Sequence, residues 1–404
     1  MKVARVGTTQ SLRRRAMNFI LLMGLVALFG DIIFAAAHSI TGPYLGILGA
    51  SAVMIGFISG LADFLGYSLR MVFGFLSALT GRYWTITILG YVVNLVAAPL
   101  LALVGQWETA ALLIILERCG MAIRTQARDA MLTHATVTIG RGWGFGIHEA
   151  MNQIGSILGP LLISLVLYLN MGYSQGFALL AIPAGLAIIC LILARPNYPN
   201  PMANQGYPAF IREGSSARTP FFWLYTCFSF FTLAGFSNFP LISFHMIKTQ
   251  LVPGIQIPIF FAIAMGVEGI FALLAGRLYG RIGALVLIFA PLLTIPLPFL
   301  AFSQSYLAVI LGMIFWGAAL ALQVSVLRFV IIDLCPISHK GSAYGIFNGF
   351  FGFALLLGNT VMGILYSLSI AAIGYFVLAM EGFSLALLWL ILRQHLGKPR
   401  ERQT

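Results

Sequence analysis

Long apolar runs, broken at short intervals by glycine, proline and charged residues, dominate the chain. A helix needs about 20 mostly apolar residues to cross a bilayer. Twelve runs reach that length: about 17–41, 51–79, 82–104, 109–131, 143–169, 174–194, 220–247, 257–279, 283–303, 306–334, 342–367 and 371–393. The pattern predicts an all-α membrane protein of twelve transmembrane helices. Between the sixth and seventh runs, Arg195 to Thr219 carries Pro196, Pro199, Pro201 and Pro208 with Arg212, Glu213 and Arg218. Prolines and charges suit a connection rather than a span. The expected organisation is an N-terminal six-helix bundle over 1–194, a linker over 195–219 and a C-terminal six-helix bundle over 220–404.

Composition narrows the class. Of 404 residues, 60% are hydrophobic and 8% charged, and the mean hydropathy is +0.96. Soluble domains carry roughly 25% charged residues, so a water-soluble globule of this size would lack a polar surface. Soluble enzymes and disulfide-stapled secreted domains are excluded. The net charge of +12 does not mark a nucleic-acid binder, because the basic residues punctuate apolar blocks instead of forming a patch.

Lys and Arg fall on one side. With the N-terminus inside, the cytoplasmic ends hold Arg13 to Arg15, Arg82, Arg124, Arg128, Arg141, Arg195, Arg277, Arg281, Arg328, Lys340 and Arg393, whereas the opposite side holds little beyond Lys248. The bias predicts two cytoplasmic termini. The Arg13-Arg14-Arg15 run resembles the start of a signal peptide, but no small-residue cleavage site follows, which predicts a retained first helix. Cys119, Cys190, Cys227 and Cys335 show no CxxC spacing and read as buried thiols, not metal ligands.

The halves echo one another. Gly74-Phe-Leu76-Ser-Ala78-Leu-Thr-Gly81 follows the second span, and Gly276-Arg-Leu278-Tyr-Gly280-Arg-Ile-Gly283 follows the eighth, 202 residues later. Arg141-Gly142-x3-Gly146 through Gly159 recurs as Lys340-Gly341-x3-Gly345 through Gly358, 199 residues later. Two echoes at nearly one offset imply duplicated halves in the same orientation, related by a pseudo-two-fold axis along the membrane normal.

Candidate chemistry lies in the intramembrane acids. Asp31, Asp63, Glu117, Glu149, Glu268 and Glu381 fall well inside apolar blocks. Each would cost about 2.5 kcal/mol or more against lipid, and six would cost on the order of 15 kcal/mol. They must therefore face a cavity, pair with a cation or stay protonated. A paired carboxylate can also serve only to pin helices. Asp31 and His38 share a face at i,i+7. Asp63 lies about 18 Å along the second span, with Arg70 two turns below. Arg118, beside Glu117, is the cation expected to face substrate or a carboxylate.

On the fifth span, His148, Glu149, Asn152, Gln153 and Ser156 form a polar stripe. Asp31, Asp63, Glu117 and Glu149 are the proton-coupling candidates. His38, Arg118, His148, Asn152, Gln153, Asn238, Glu268 and Glu381 are the substrate-cavity candidates. Arg124, Arg128 and Asp129 read as a charge latch near the cytoplasmic end of the fourth span, grouped with Gly74, Gly81, Arg82, Gly276, Arg281, Gly283 and Arg328 as gating positions. The aromatic-rich seventh span reads as packing. Gly155-x3-Gly159 permits close helix approach, and Pro160 removes a backbone hydrogen bond.

Gly146-x8-Gly155-x3-Gly159-Pro160 resembles the antiporter motif on the fifth helix of major facilitator drug/proton exporters, with Ile163-Ser164 where a Gly-Gly is usual. Gly74-x-Leu76 through Gly81-Arg82 resembles the superfamily's loop motif between helices two and three, with Ala78, and Gly280 in the second copy, where an acid is customary. The strings Gly81-Arg-Tyr-Trp84, Glu117 through Arg124 with Ala127 through Met131, and Arg141 through Ala150 resemble a bacterial branch of that superfamily. The resemblance implies a two-bundle transporter working by alternating access, in a bacterial inner membrane.

The reading is proton-coupled export of a small organic solute, with protons and bilayer as further partners, no nucleic acid, no cofactor and no metal, and a monomeric state. The alternatives are import or symport of an anionic metabolite, suggested by Arg70, Arg118 and Arg328, or a lysolipid flippase; a channel is disfavoured. No GxxxxGK[ST] string or HExxH is found, so neither ATP-driven nor zinc-enzyme chemistry is expected.

Overall fold

The computed structural model describes residues 2–137, 139–199, 220–327, 330–331 and 340–396. Its helices are α1 (Lys2–Ile47), α2 (Ala52–Thr80), α3 (Tyr83–Leu100), α4 (Trp107–Thr136), α5 (Arg141–Tyr168), α6 (Tyr173–Leu179), α7 (Ala181–Ala194), α8 (Pro220–Ala234), α9 (Phe239–Lys248), α10 (Ile257–Ile282), α11 (Phe289–Thr294), α12 (Leu297–Ala301), α13 (Tyr306–Ala321), α14 (Lys340–Leu368) and α15 (Ile370–Leu396). No strand occurs among the described residues. With no water in the hydrocarbon to bond the main chain, helices close their own hydrogen bonds.

Ten described segments are long and apolar enough to cross a membrane. The sequence pattern predicts twelve, and two features account for the difference. The 30-residue α4 carries Glu117, Arg118, Arg124, Arg128 and Asp129 within its length, too many charges for an apolarity criterion. Ile257–Ala301 is 45 residues long and counts as one segment, although the 3-10 turns of Gly283–Ile288 break it.

The chain forms two compact units: 1–50 with 65–208 and 253–262, and 51–64 with 209–252 and 263–404. In the first unit, glycines set helix register. A Cβ on Gly155 would run into the Leu28 carbonyl oxygen, and one on Gly159 into that of Ile32. Met151 Sδ fills the same place over Gly24. Each step of four residues on α5 matches four on α1, so the two helices run parallel. Between α3 and α4 the order reverses: Gly90 meets the Arg124 amide and Gly120 meets the Asn94 amide, making that pair antiparallel. Both contacts are backbone on backbone, and any side chain at these glycines would separate the helices.

In the second unit, Gly56 abuts the Asn359 carbonyl and Gly60 abuts Leu356, while Gly363 abuts Ala52 and Val53. The first half of α2 thus runs antiparallel to α14. Gly358 meets the Ala234 carbonyl, which seats α14 on α8. The polypeptide between α8 and α9 is not helical. At Gly235–Asn238 the Ser237 carbonyl accepts from Trp316 Nε1 at 2.8 Å, and the Asn238 amide donates to Asn359 Oδ1 at 2.9 Å. Asn238 Oδ1 then caps α9 by accepting from the Leu241 amide at 3.3 Å.

The start of the expected linker is fixed to the first unit. After the 3-10 turn Arg195–Asn197, Tyr198 stacks on Phe19, shares a hydrogen bond with His134 Nδ1 and takes one from Trp84 Nε1 at 2.9 Å through its carbonyl. Residues 200–219, Arg328 and Cys335 lie outside the described residues, as do the side chains of Arg141 and Lys340.

One expectation is corrected. Cys227 is exposed, and Cys119 and Cys190 are half-buried. An apolar neighbourhood does not predict burial when the outer surface is itself apolar.

Candidate functional site

Asp31 of α1 and the charged residues midway along α4 gather in two tiers. The upper tier centres on Arg118. Its guanidinium lies 4.3 Å over the Phe34 ring, and its Nη2 is 3.3 Å from His38 Nδ1. Because guanidinium only donates, Nδ1 accepts and the His38 proton sits on Nε2. His38 stacks on Phe34 one turn below and tilts against Phe261. Glu117 Oε2 is 3.8 Å from Arg118 Nε. The other Glu117 oxygen accepts from Asn94 Nδ2 at 2.8 Å, and the same nitrogen donates to the Glu117 carbonyl at 2.9 Å. Glu117 and Asn94 are buried, whereas Arg118, His38 and Phe34 are half-buried.

The lower tier lies about two turns away, six residues along α4 and seven back along α1. Arg124 is 2% exposed, with its guanidinium 4.3 Å over the Tyr91 ring. Its Nε and Nη1 have no hydrogen-bond partner among the described residues. Nη2 faces Gly30, one residue from Asp31. One turn further along α4 stands Arg128. Arg128 is itself paired with Asp129, through Nε and Nη2 at 2.9 Å each. Gly155 of α5 presses within 3.1 Å of the Asp31 Cβ, counted from an added methyl. His148 is buried, with Nε2 unpartnered among the described residues, and Asn152 one turn on has a buried, unpartnered Oδ1. Glu149 turns outward and is exposed.

Several sequence candidates fall elsewhere. Asp63 is half-buried on the α2 half that belongs to the second unit, and Arg70 lies 4.8 Å from the Tyr67 ring. Glu268 is half-buried on α10. Gln153 is half-buried on α5. Asn238 is engaged as a helix cap, and Glu381 is completely buried. Gly81 and Gly283, 202 residues apart, both adopt left-handed backbone, with φ +66 and +61, so the sequence echo is also a conformational one. Gly74 packs on Gln126, Gly276 meets nothing within 4 Å, and Arg82 and Arg281 are exposed beside the two turns. Gly146, unlike Gly155 and Gly159, meets nothing within 4 Å, and α5 continues through Pro160.

Sequence reasoning missed Asn94, Tyr91, Phe34 and Phe261. A lone asparagine in an apolar third span was a usable signal. Phe261 carried none, since it lies more than 220 residues from His38 in the chain.

Helices of this length, glycine-tight crossings and buried charge between helices mark a multi-pass membrane protein, and comparison with known proteins gives its class. The family model of the Major Facilitator Superfamily matches residues 20–321 and 254–404. An uncharacterized protein of Mycobacterium tuberculosis (strain ATCC 25618 / H37Rv) is 35% identical over 395 residues, 96% of each chain. An uncharacterized MFS-type transporter of Methanocaldococcus jannaschii is 27% identical over 361 residues, covering 86% of this chain and 88% of that one. The crystal structure of the nucleoside transporter NupG superposes with a TM-score of 0.70 at 16% identity, over 94% of this chain and 100% of that chain. The chain belongs to the Major Facilitator Superfamily. It is a multi-pass membrane transporter, not an enzyme.

Proposed function

We propose that this transporter exports a small organic solute in exchange for protons, with Asp31 as the proton carrier. The observation that carries the reading is Arg124 Nη2 against Gly30, the residue before Asp31, with Gly155 of α5 against the Asp31 Cβ. An acid within reach of two guanidiniums can release its proton when those charges approach and recover it when they withdraw. Gly155, which lies against Asp31, belongs to the antiporter-like motif, and this supports the export direction. The protein then acts as a monomer in the inner membrane, with both termini cytoplasmic, as the Lys and Arg bias suggests.

The test uses inverted membrane vesicles energised to an acidic lumen, with a pH-sensitive dye read as candidate drugs, organic acids and lysolipids are added. Compound-specific proton release in the wild type, abolished by Asp31→Asn, is the expected result. Proton release that survives Asp31→Asn removes Asp31 as carrier.

A second reading is favoured by the upper tier. Arg118, stacked on Phe34 beside His38 and Phe261, suits an organic anion with a flat apolar body. Import of such an anion would replace export if labelled organic anions equilibrate across the membrane, no compound releases protons, and Arg118→Gln stops the equilibration.

A further inference from the structure

Glu381 takes no part in the site described above. It sits in the middle of α15, is 0% exposed, and neither carboxylate oxygen has a hydrogen-bond partner among the described residues. Its Oε1 points at Gly235, 2.6 Å from where a Cβ would stand. Gly235 is the first residue after α8 ends, so the carboxyl abuts the negative end of a helix dipole.

Among the described residues no countercharge is supplied locally. Of the elements packed on α15, the segments Gly283–Ile288, α11 and α12 contain no titratable residue. The only titratable side chains of α8 are Tyr225 and Cys227, and those of α14 are Lys340, Tyr344 and Tyr366. Lys340 opens α14. On α15 itself, Tyr375 is exposed, and Arg393 lies twelve residues on, about 18 Å away, with its guanidinium over Trp389. His395 stands further still along the helix. An unpaired buried carboxylate costs several kcal/mol, and the helix end adds repulsion. A bare metal cation would need several oxygen ligands at once. No hydroxyl among the described residues is bonded to either Glu381 oxygen, and one such carboxyl is matched instead to a single proton.

A row of buried hydroxyls leads away from it. One turn along α15, Ser384 shares a 2.6 Å hydrogen bond with Thr232, three residues before Gly235. Ser229 and Tyr225 follow at successive turns on the same face of α8, both at most 1% exposed, but Ser229 Oγ has no hydrogen-bond partner among the described residues, so the connected pair is Ser384 and Thr232. The Tyr225 hydroxyl ends the row by donating to the Leu327 carbonyl at 2.8 Å, just after the π-helical turn Leu322–Val326. Within the Ser384–Thr232 pair each hydroxyl can accept one proton while passing on its own. We infer that Glu381 is a second proton-binding site, internal to the second unit, which exchanges its proton through the Ser384–Thr232 hydroxyl pair. The inference is independent of the export reading, because it involves neither Asp31 nor any solute.

Infrared difference spectroscopy of the full chain in phosphatidylethanolamine–phosphatidylglycerol vesicles tests it. A protonated-carboxyl band that disappears on alkalinisation is expected in the wild type and in Asp31→Asn, and its absence in the isosteric Glu381→Gln. Thr232→Val with Ser384→Ala should retain the band and slow its shift in deuterated buffer by about tenfold. Loss of the band in Asp31→Asn but not in Glu381→Gln overturns the assignment. So does a Glu381 band that never changes from about pH 5 to pH 10, which marks a fixed structural acid. Saturable binding of radioactive sodium, lost in Glu381→Gln, would overturn it in favour of a metal cation.

Discussion

Asn94 holds Glu117 twice over, donating one amide nitrogen to the carboxylate Oε1 at 2.8 Å and to the main-chain carbonyl at 2.9 Å. The double bond fixes the acid on α4 so that its other oxygen turns toward Arg118. Asn94→Leu removes both bonds and leaves a buried carboxylate short of a partner. The expected cost is about 1–3 kcal/mol, seen as a lower unfolding temperature in detergent. An unchanged temperature would show that Arg118 suffices to hold Glu117.

The α5 glycines make opposite predictions for neighbouring positions. Gly159→Ala drives a methyl into the Ile32 carbonyl oxygen, whereas Gly146→Ala meets nothing within 4 Å. The first should destabilise by about 1–3 kcal/mol. The second should be neutral or slightly stabilising, since alanine is the better helix former. Equal thermal stability of the two variants would contradict the packing described.

Asp31 and Arg124 should behave as coupled residues. Each single neutralisation, Asp31→Asn or Arg124→Gln, leaves a charge without its opposite. The double variant should recover part of the loss, with a coupling energy of about 1 kcal/mol in a double-mutant cycle of thermal stability. Strict additivity would mean that the two charges do not sense one another.

Tyr198 supplies a pH prediction outside the membrane. Partial burial raises its phenol above the ordinary value of 10.0. For a group raised on folding, the stabilisation is complete below the unfolded value and declines as pH climbs through the folded one. The contact with His134, Phe19 and Trp84 should therefore hold through neutral pH and loosen only in strongly alkaline buffer. Labelling of Asn197→Cys by a polar maleimide, corrected for the rate with free cysteine, should stay flat and then rise above about pH 10. In a Tyr198→Phe background that rise should vanish.

How much of this was legible beforehand follows from the range of each signal. Local patterns carried far: the apolar runs predicted the helices, and the glycines at 81 and 283 closed two equivalent turns. The acid at 31 and the arginine at 118 were legible as misfits in apolar surroundings. Their partners were not. Arg124 reads as part of a charge latch at the cytoplasmic end of the fourth span because it stands near Arg128 and Asp129 in sequence, yet it is 2% exposed, with Nη2 against Gly30. Periodicity gives a side chain's face relative to its own helix, and the neighbour that the face meets depends on packing. Glu381 illustrates the same limit. It was counted among cavity residues, and the structure encloses it against Gly235.

The four-residue register between α1 and α5 limits how this protein can move. Leu28 and Ile32 present carbonyl oxygens to Gly155 and Gly159, while the adjoining Ile154 and Leu158 point outward, 50% and 46% exposed. Turning α5 about its axis would drive one of those bulky chains into the α1 backbone. Sliding is blocked until the next glycine comes into line, a whole turn of about 5.4 Å away. The two helices therefore mesh like a rack and pinion with the gear locked. Asp31, His148 and Asn152 keep their spacing through any swing of the bundle, and a change in what Asp31 senses must come from α4 and its arginines.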